Sequence, residues 1–361
     1  TVHIAWGSSP IRYIRSEDEG VSWTSAVSLA SAGDIHETNS LAGDGLNVHL
    51  LYLTNLRQLT DWCCARDIGD LWVRTSNDGG KTWKAPVQIS TGQGAFRVSI
   101  SAREGRVHVA WSDFRDSVWH IYYARSLDAG AQWGTETKLV DGIPGGETNR
   151  PQVAADGTDV HIVWGEDRDL NPSCYTLPNC TEVYYKRSTD LGQSWEADRR
   201  LTFSPTVPAS AVLLSHRANI VAGPNAVIVS YDRDPPEKNG HEQYVLRSAD
   251  RGSTWEAEAR LTNAPADSTH GSLTGRGSLF HLAYFDGRLA GNNEIYYRAS
   301  YDDGLLWKPE ERVTNAAGNS STPHLALTDN FAQVVWLDDR TGTYEVYYNR
   351  RALDAPAGTS G

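Results

Sequence analysis

The sequence predicts an all-β protein, a β-propeller of four-stranded antiparallel blades, and three observations carry that prediction. First, the pattern Ser-x-Asp-x-Gly-x-x-Trp occurs six times: SEDEGVSW (16–23), SNDGGKTW (76–83), SLDAGAQW (126–133), STDLGQSW (188–195), SADRGSTW (248–255) and SYDDGLLW (300–307). Second, a short run precedes each copy: RYIRS, LWVRTS, IYYARS, VYYKRS, YVLRS and IYYRAS. Third, ahead of those runs lie VHIAW (2–6), VHLLY (48–52), VHVAW (107–111), VHIVW (160–164), VIVSY (227–231), FHLAY (280–284) and AQVVW (332–336). Runs of β-branched and aromatic residues with turn residues between them are strand signatures, and their return at a period of about fifty residues marks a repeat architecture.

Each repeat reads as strand, turn, strand, motif, strand. One more short strand falls between the motif and the next run, as in RPQVAADG (150–157) and HLALTDN (324–330). Four short antiparallel strands per repeat, arranged radially, make a propeller blade. The seven runs give seven units, of which six carry the motif. The seventh, from about 322, ends in RALDAPAGTSG, where Asp354 reads as a worn copy. Seven blades are favoured, and six is the alternative if the end units merge. The first unit lacks its innermost strand. The expectation is one propeller domain over 1–361.

Within the motif, the Asp can accept hydrogen bonds from N–H groups of its own turn, the Gly permits positive φ, and the Trp packs between sheets. Six near-identical copies read as scaffolding. His3, His49, His108, His161 and His281 recur in one strand slot and read as strand packing.

Composition narrows the function classes. The net charge of −12 argues against nucleic acid as partner, because phosphate binding needs a basic face. No run of eighteen apolar residues exists, so no membrane span is expected. Thirteen Trp and sixteen Tyr against six Phe suit both strand packing and sugar stacking, and a glycan is the expected ligand. Cys63, Cys64, Cys174 and Cys180 form no Cys-x-x-Cys pair, which argues against a zinc knuckle. Local disulfides fit an exported protein; three pairings are possible, with Cys174–Cys180 favoured. Asn179 and Asn319 head glycosylation acceptor triplets. The chain opens on Thr1, so a removed or omitted leader and a secreted, extracellular or periplasmic monomer are expected. No cofactor and no metal are implied.

The motif also orients the search for a site. With strands A to D in each blade, it lies between C and D, so the B–C and D–A connections share the opposite face. There the repeats differ. The B–C connection is long at 54–70, 166–182 and 232–243, and these stretches hold all four cysteines. At the start of strand A stand His36 with Asn39, Arg97, Arg150, His216 with Arg217, His270 and His324. Arg97, Arg150 and Arg217 could converge on one carboxylate, which a guanidinium matches bidentately. Alternatively, each arginine pairs with an acid such as Asp113, Asp167, Asp232, Asp286 or Asp338. Those acids belong to a second phrase, WSDFR (111–115), WGEDR (164–168), YDR (231–233), YFDGR (284–288) and WLDDR (336–340), which reads as a salt bridge or turn cap. Asp113 is the member chosen as an acid or base.

The repeated motif resembles the Asp box (bacterial neuraminidase repeat) of sialidases and their relatives, over nearly the whole chain. The resemblance implies a carbohydrate-active propeller. Sialidases hold a substrate carboxylate with an arginine triad, which Arg97, Arg150 and Arg217 could supply. They also use a tyrosine nucleophile backed by a glutamate, and an aspartate acid/base. Tyr175, Tyr231 and Tyr284 are the tyrosine candidates, with Glu147, Glu166 and Glu242 as partners. The arginine-isoleucine-proline phrase of the family is absent; FRVSI (96–100) and NRPQV (149–153) are the nearest analogues. Seven units also depart from the six-bladed sialidase plan. Three readings stand: a sialidase-like glycoside hydrolase acting on an acidic glycan, a uronate polysaccharide lyase using Arg and His or Tyr, and a glycan-binding propeller without chemistry.

Overall fold

The computed structural model describes residues 1–31, 33–35, 40–60, 65–168, 181–203, 215–235, 237, 240–289 and 291–354. They form antiparallel strands without a helix, divided between two compact units, Thr1–Val212 and Leu213–Gly361. No helix is long and apolar enough to cross a membrane.

The first unit holds four sheets. Val2–Trp6, Ile11–Ser16 and Val27–Ala30 make the first, with three strands. Leu41–Asp44, Asn47–Thr60, Ala65–Ser76 and Val87–Gln88 make the second. Ala95–Arg103, Arg106–Asp113, His120–Ser126 and Thr137–Val140 make the third, tied to the second at Gly69–Ala95. Thr148–Asp156, Asp159–Glu166, Glu182–Ser188 and Arg199–Arg200 make the fourth. The second unit holds three more. The fifth sheet is Ser215–Ala222, Val227–Arg233, Glu242–Ser248 and Ala259–Arg260. The sixth is Ser268–Arg276, Leu279–Leu289, Asn292–Ser300 and Glu311–Arg312. The seventh has three strands, Ser320–Leu327, Phe331–Asp338 and Glu345–Ala352. The stretch 54–70, expected as a long connection, instead extends a hairpin down to Thr60–Ala65, with a bulge between Thr54 and Arg57.

Sheets of one unit pack face to face. Leu51, Leu53 and Val73 of the second sheet meet Val98, Val109 and Trp111 of the third. Ile121 and Tyr123 of the third meet Val153, Val160 and Trp164 of the fourth. Central strands such as Asp159–Glu166 are buried throughout, which explains their unbroken apolar runs.

The six motif copies form one turn. In 76–83, Asp78 Oδ1 accepts from Ser76 Oγ at 2.7 Å and Thr82 N at 2.9 Å, while Gly80 N donates to Ser76 Oγ at 2.9 Å. These bonds hold the turn carboxylates Asp18, Asp78 and Asp190 far below the usual range, led by the Ser22, Thr82 and Ser194 hydroxyls respectively. Each turn clips onto the preceding sheet. Trp83 meets Tyr13 edge-on at 5.0 Å, and Trp195 meets Tyr123 in the same way at 5.0 Å. Those tyrosines hydrogen-bond the recurrent strand histidines, His3 Nδ1 to Tyr13 at 2.6 Å and His108 Nδ1 to Tyr123 at 2.6 Å. Burial holds His3 and His108 down to about 4, so the neutral rings accept from the phenols.

Two further devices recur. In the first, a buried acid ends the second strand and takes a Trp and an Arg. Asp113 accepts from Trp111 Nε1 at 3.0 Å and Arg115 Nη2 at 2.8 Å, and Asp338 from Trp336 Nε1 at 3.1 Å and Arg340 Nη2 at 2.6 Å. The arginine lies over a third-strand ring, 4.0 Å for Arg115 on Tyr122 and 4.1 Å for Arg340 on Tyr347. The second device locks the fourth strand. Glu182, Glu242 and Glu294 open the third strands of the fourth, fifth and sixth sheets. They take Arg200 (3.0 Å), Arg260 (3.0 Å) and Arg312 (2.6 Å), and also the hydroxyls of Thr202, Thr262 and Thr314.

Candidate functional site

Five sheets share a bulge near the start of their first strand, and the extra residue adopts positive φ each time. These residues are Arg97 (45°), Arg150 (57°), Arg217 (51°), His270 (54°) and Thr322 (45°). No glycine occupies the position. Left-handed backbone in a bulky residue costs of order 1–3 kcal/mol and persists where the surroundings impose it, while a bulge re-aims its side chain. The fold therefore holds Arg97, Arg150, Arg217 and His270 in one strained, repeated setting. His324 does not belong to it. Thr322 takes the bulge of the seventh sheet, and His324 lies exposed two residues on, paired with Val335.

In the first unit, the extended hairpin brings Arg66 to Glu147, and both are buried. Arg66 lies 5.1 Å from the Trp119 ring centroid and 5.8 Å from that of Phe96; Arg97 lies 4.8 Å from Phe96. Asn149 Nδ2 donates to Glu147, next to the Arg150 bulge. Asp167 completes the cluster. Its N–H donates to the Glu147 carbonyl at 3.3 Å, and its side chain lies against Gly146. It is 3% exposed, and among the described residues its Oδ1 has no hydrogen-bond partner. Desolvation, followed by repulsion from Glu147 and Glu166, pushes its carboxyl up to about 6.

In the second unit, Asp232 departs from the repeating acid. The register places Arg233, not Asp232, opposite Glu242, where the other sheets put their buried acid. Asp232 lies one residue earlier and faces other partners. It accepts from Gln243 Nε2 at 2.5 Å, Thr269 Oγ1 and the His270 N–H at 3.2 Å, with Arg217 Nη1 3.6 Å away. The His270 ring stacks on Phe285 at 4.9 Å.

Several sequence-based expectations change here. Asp113, chosen as acid or base, is fully buried, with both oxygens taken by Trp111 and Arg115. That is the repeating structural clasp, so no reacting group can reach it. Glu166 is the corresponding clasp acid of the fourth sheet, accepting from Trp164 Nε1 at 2.6 Å. Tyr231 is fully buried and donates to Glu258 at 2.5 Å, an arrangement repeated by Tyr284 and Glu310 at 2.8 Å. A phenol sealed in a repeated strand contact is not an exposed nucleophile. Glu242 holds the fourth strand of its sheet. Tyr175, His36 and all four cysteines lie outside the described residues, and His216 is placed by its backbone pairing with Asp232. Sequence reasoning missed Arg66, whose partner is 81 residues away. It also missed the singular position of Asp167, which it grouped with the repeating acids.

No protein-family model matches the chain, and no curated protein matches it. Solved structures do. A protein of unknown function from Dyadobacter fermentans is similar at a TM-score of 0.56 and 16% identity, covering 86% of this chain and 93% of that one. An α-L-arabinofuranosidase from Fusarium graminearum in complex with an iminosugar inhibitor is similar at 0.53 and 15%, covering 85% and 89%. Trypanosoma rangeli sialidase in complex with sialic acid is similar at 0.55 and 12%, covering 96% of this chain but only 58% of the sialidase. The likeness is one of fold, a sialidase-like propeller of antiparallel sheets.

Proposed function

We propose that this chain is a secreted glycoside hydrolase acting on a carboxylate-bearing glycan, with its seven sheets as blades of one propeller domain. Asp167 carries the reading. Glycosidases need two carboxyl groups whose environments set their protonation apart. A buried carboxyl near 6, beside a Glu147 already paired with Arg66, has that asymmetry. Asp167 is the general acid of this proposal, and Arg97 and Arg150 hold the sugar carboxylate. The neighbours named as a sialidase and an arabinofuranosidase support carbohydrate chemistry on this fold.

The test is a panel of chromogenic sialosides, uronosides and arabinofuranosides, together with uronate polysaccharides, read for released aglycone, reducing ends and ultraviolet absorbance. Aglycone release from an acidic glycoside is expected. Arg150→Ala should weaken that activity roughly 10–100-fold, the value of one charged hydrogen bond. Silence throughout the panel, with glycan retention on an array, would replace the hydrolase by a binding module.

A second reading, uronate lyase, is favoured by one observation: Arg217 and His270 share Asp232. In a lyase an arginine neutralises the uronate carboxylate and a histidine removes the adjacent proton. Absorbing unsaturated ends without aglycone release would select it.

A further inference from the structure

The seventh sheet ends where the fourth, fifth and sixth continue. Its third strand, Glu345–Ala352, pairs only with Phe331–Asp338 among the described residues, and its outer side is exposed, with Val346 at 41% and Tyr344 at 62%. Glu345 stands where Glu182, Glu242 and Glu294 stand, opposite the last residue of the second strand. Those three glutamates each receive an arginine and a threonine from a fourth strand. Glu345 is exposed and receives the Tyr347 hydroxyl of its own strand at 3.3 Å.

A cavity of about 230 Å³ lies beside this edge, between the sixth and seventh sheets. Its lining includes Ala283, Tyr297, Val313, Leu325, Val334 and Arg351. Ala283 pairs with Tyr297 as Ala5 pairs with Tyr13 and Ala110 with Tyr123. Tyr13 and Tyr123 are the rings that receive the turn tryptophans Trp83 and Trp195. The cavity is thus the corresponding tryptophan slot of the last sheet pair. Residues 353–361, LDAPAGTSG, contain neither tryptophan nor arginine. A dry apolar cavity of about 150 Å³ already admits benzene, so this one has room for an indole.

The two missing elements are linked in sequence elsewhere. WEADRRLT (195–202), WEAEARLT (255–262) and WKPEERVT (307–314) share the spacing Trp-x4-Arg-(Leu/Val)-Thr. We propose that the open edge and its cavity form a docking site for an extended peptide of that pattern, supplied by a partner polypeptide. The peptide adds an antiparallel fourth strand against Tyr347 and Tyr348, as Arg312 and Glu311 do against Tyr296 and Tyr297. Its tryptophan enters the cavity onto Tyr297, and its arginine and threonine bind Glu345.

The probe is a synthetic nonapeptide of residues 255–263, WEAEARLTN, titrated calorimetrically into the intact chain. Saturable binding is expected, weakened tenfold or more by Glu345→Lys in the protein and by Trp255→Ala in the peptide. A peptide carrying Arg260→Glu should bind the Glu345→Lys protein better than it binds the unaltered one. That charge-swap rescue separates recognition from a folding defect. No binding up to about 1 mM, or equal binding to both proteins, overturns the proposal. So does a dimer in size-exclusion chromatography that Glu345→Lys dissolves, since a second copy would then occupy the edge.

Discussion

Gly192→Ala should destabilise the first unit by roughly 2–5 kcal/mol, the largest single-residue loss expected anywhere in its turns. Two costs add at this position. Gly192 has φ of +78°, and left-handed backbone costs a side-chain-bearing residue about 1–2 kcal/mol. A β-carbon there would lie 2.7 Å from Tyr123 Cζ and nearer still to the hydroxyl. Tyr123 cannot retreat. It is 2% exposed, bonded to His108 at 2.6 Å and met edge-on by Trp195. Forcing extra volume into such a contact costs about 1–3 kcal/mol. Gly105→Ala supplies the comparison, because Gly105 has φ of +72° and open space around its missing β-carbon. It should lose only the backbone share. Urea denaturation of both variants checks the contrast, and equal losses would show that the glycine serves the turn's dihedrals alone.

That contrast explains what the sequence could reveal. The turn is legible because its chemistry is local: Asp78, Gly80 and Trp83 each meet a need set within eight residues or by the adjoining sheet, and the need recurs. The strands are legible for the same reason. The bulge is not. Its left-handed position carries Arg97, Arg150, Arg217, His270 and Thr322, and none of these residue types announces positive φ. Registers one residue apart were equally hidden. WGEDR offers two acids, and only the ladder shows that Glu166, paired with Glu182, enters the clasp and leaves Asp167 outside it. YDR hides the opposite shift, with Arg233 in the acid's place and Asp232 turned toward Thr269 and His270. Tyr231 looked available because it ends a strand. Burial, which a single strand end does not encode, removes it. Departures from the repeat mark the candidate site, and they become visible as departures only once pairing is known.

Asp167→Asn should stabilise the protein at neutral pH and abolish hydrolysis, two effects that no purely structural carboxylate would combine. The sign follows from the direction of the shift. The Asp167 carboxyl sits at about 6 when folded, against an ordinary value near 3.9 when unfolded. Below about pH 4 both states hold the proton, and the group has no differential effect. As the pH rises toward 6 the unfolded chain ionises first, and folding stability falls. Above 6 the loss levels at about 2–3 kcal/mol, two pKa units at 1.36 kcal/mol each. Asparagine cannot ionise, so its advantage should be full at pH 7.5 and absent at pH 4. Thermal unfolding at the two pH values reads this without any substrate. If Asp167 is the general acid, hydrolysis by the unaltered protein should fall as pH rises through about 6, since the acid must arrive protonated. The variant should lose 10²–10⁴-fold in rate, the usual contribution of a positioned acid. Stabilisation with undiminished hydrolysis would strip Asp167 of that role and leave it a buried carboxyl kept at a cost for some other purpose. A variant equally stable at both pH values would sink the protonation argument itself.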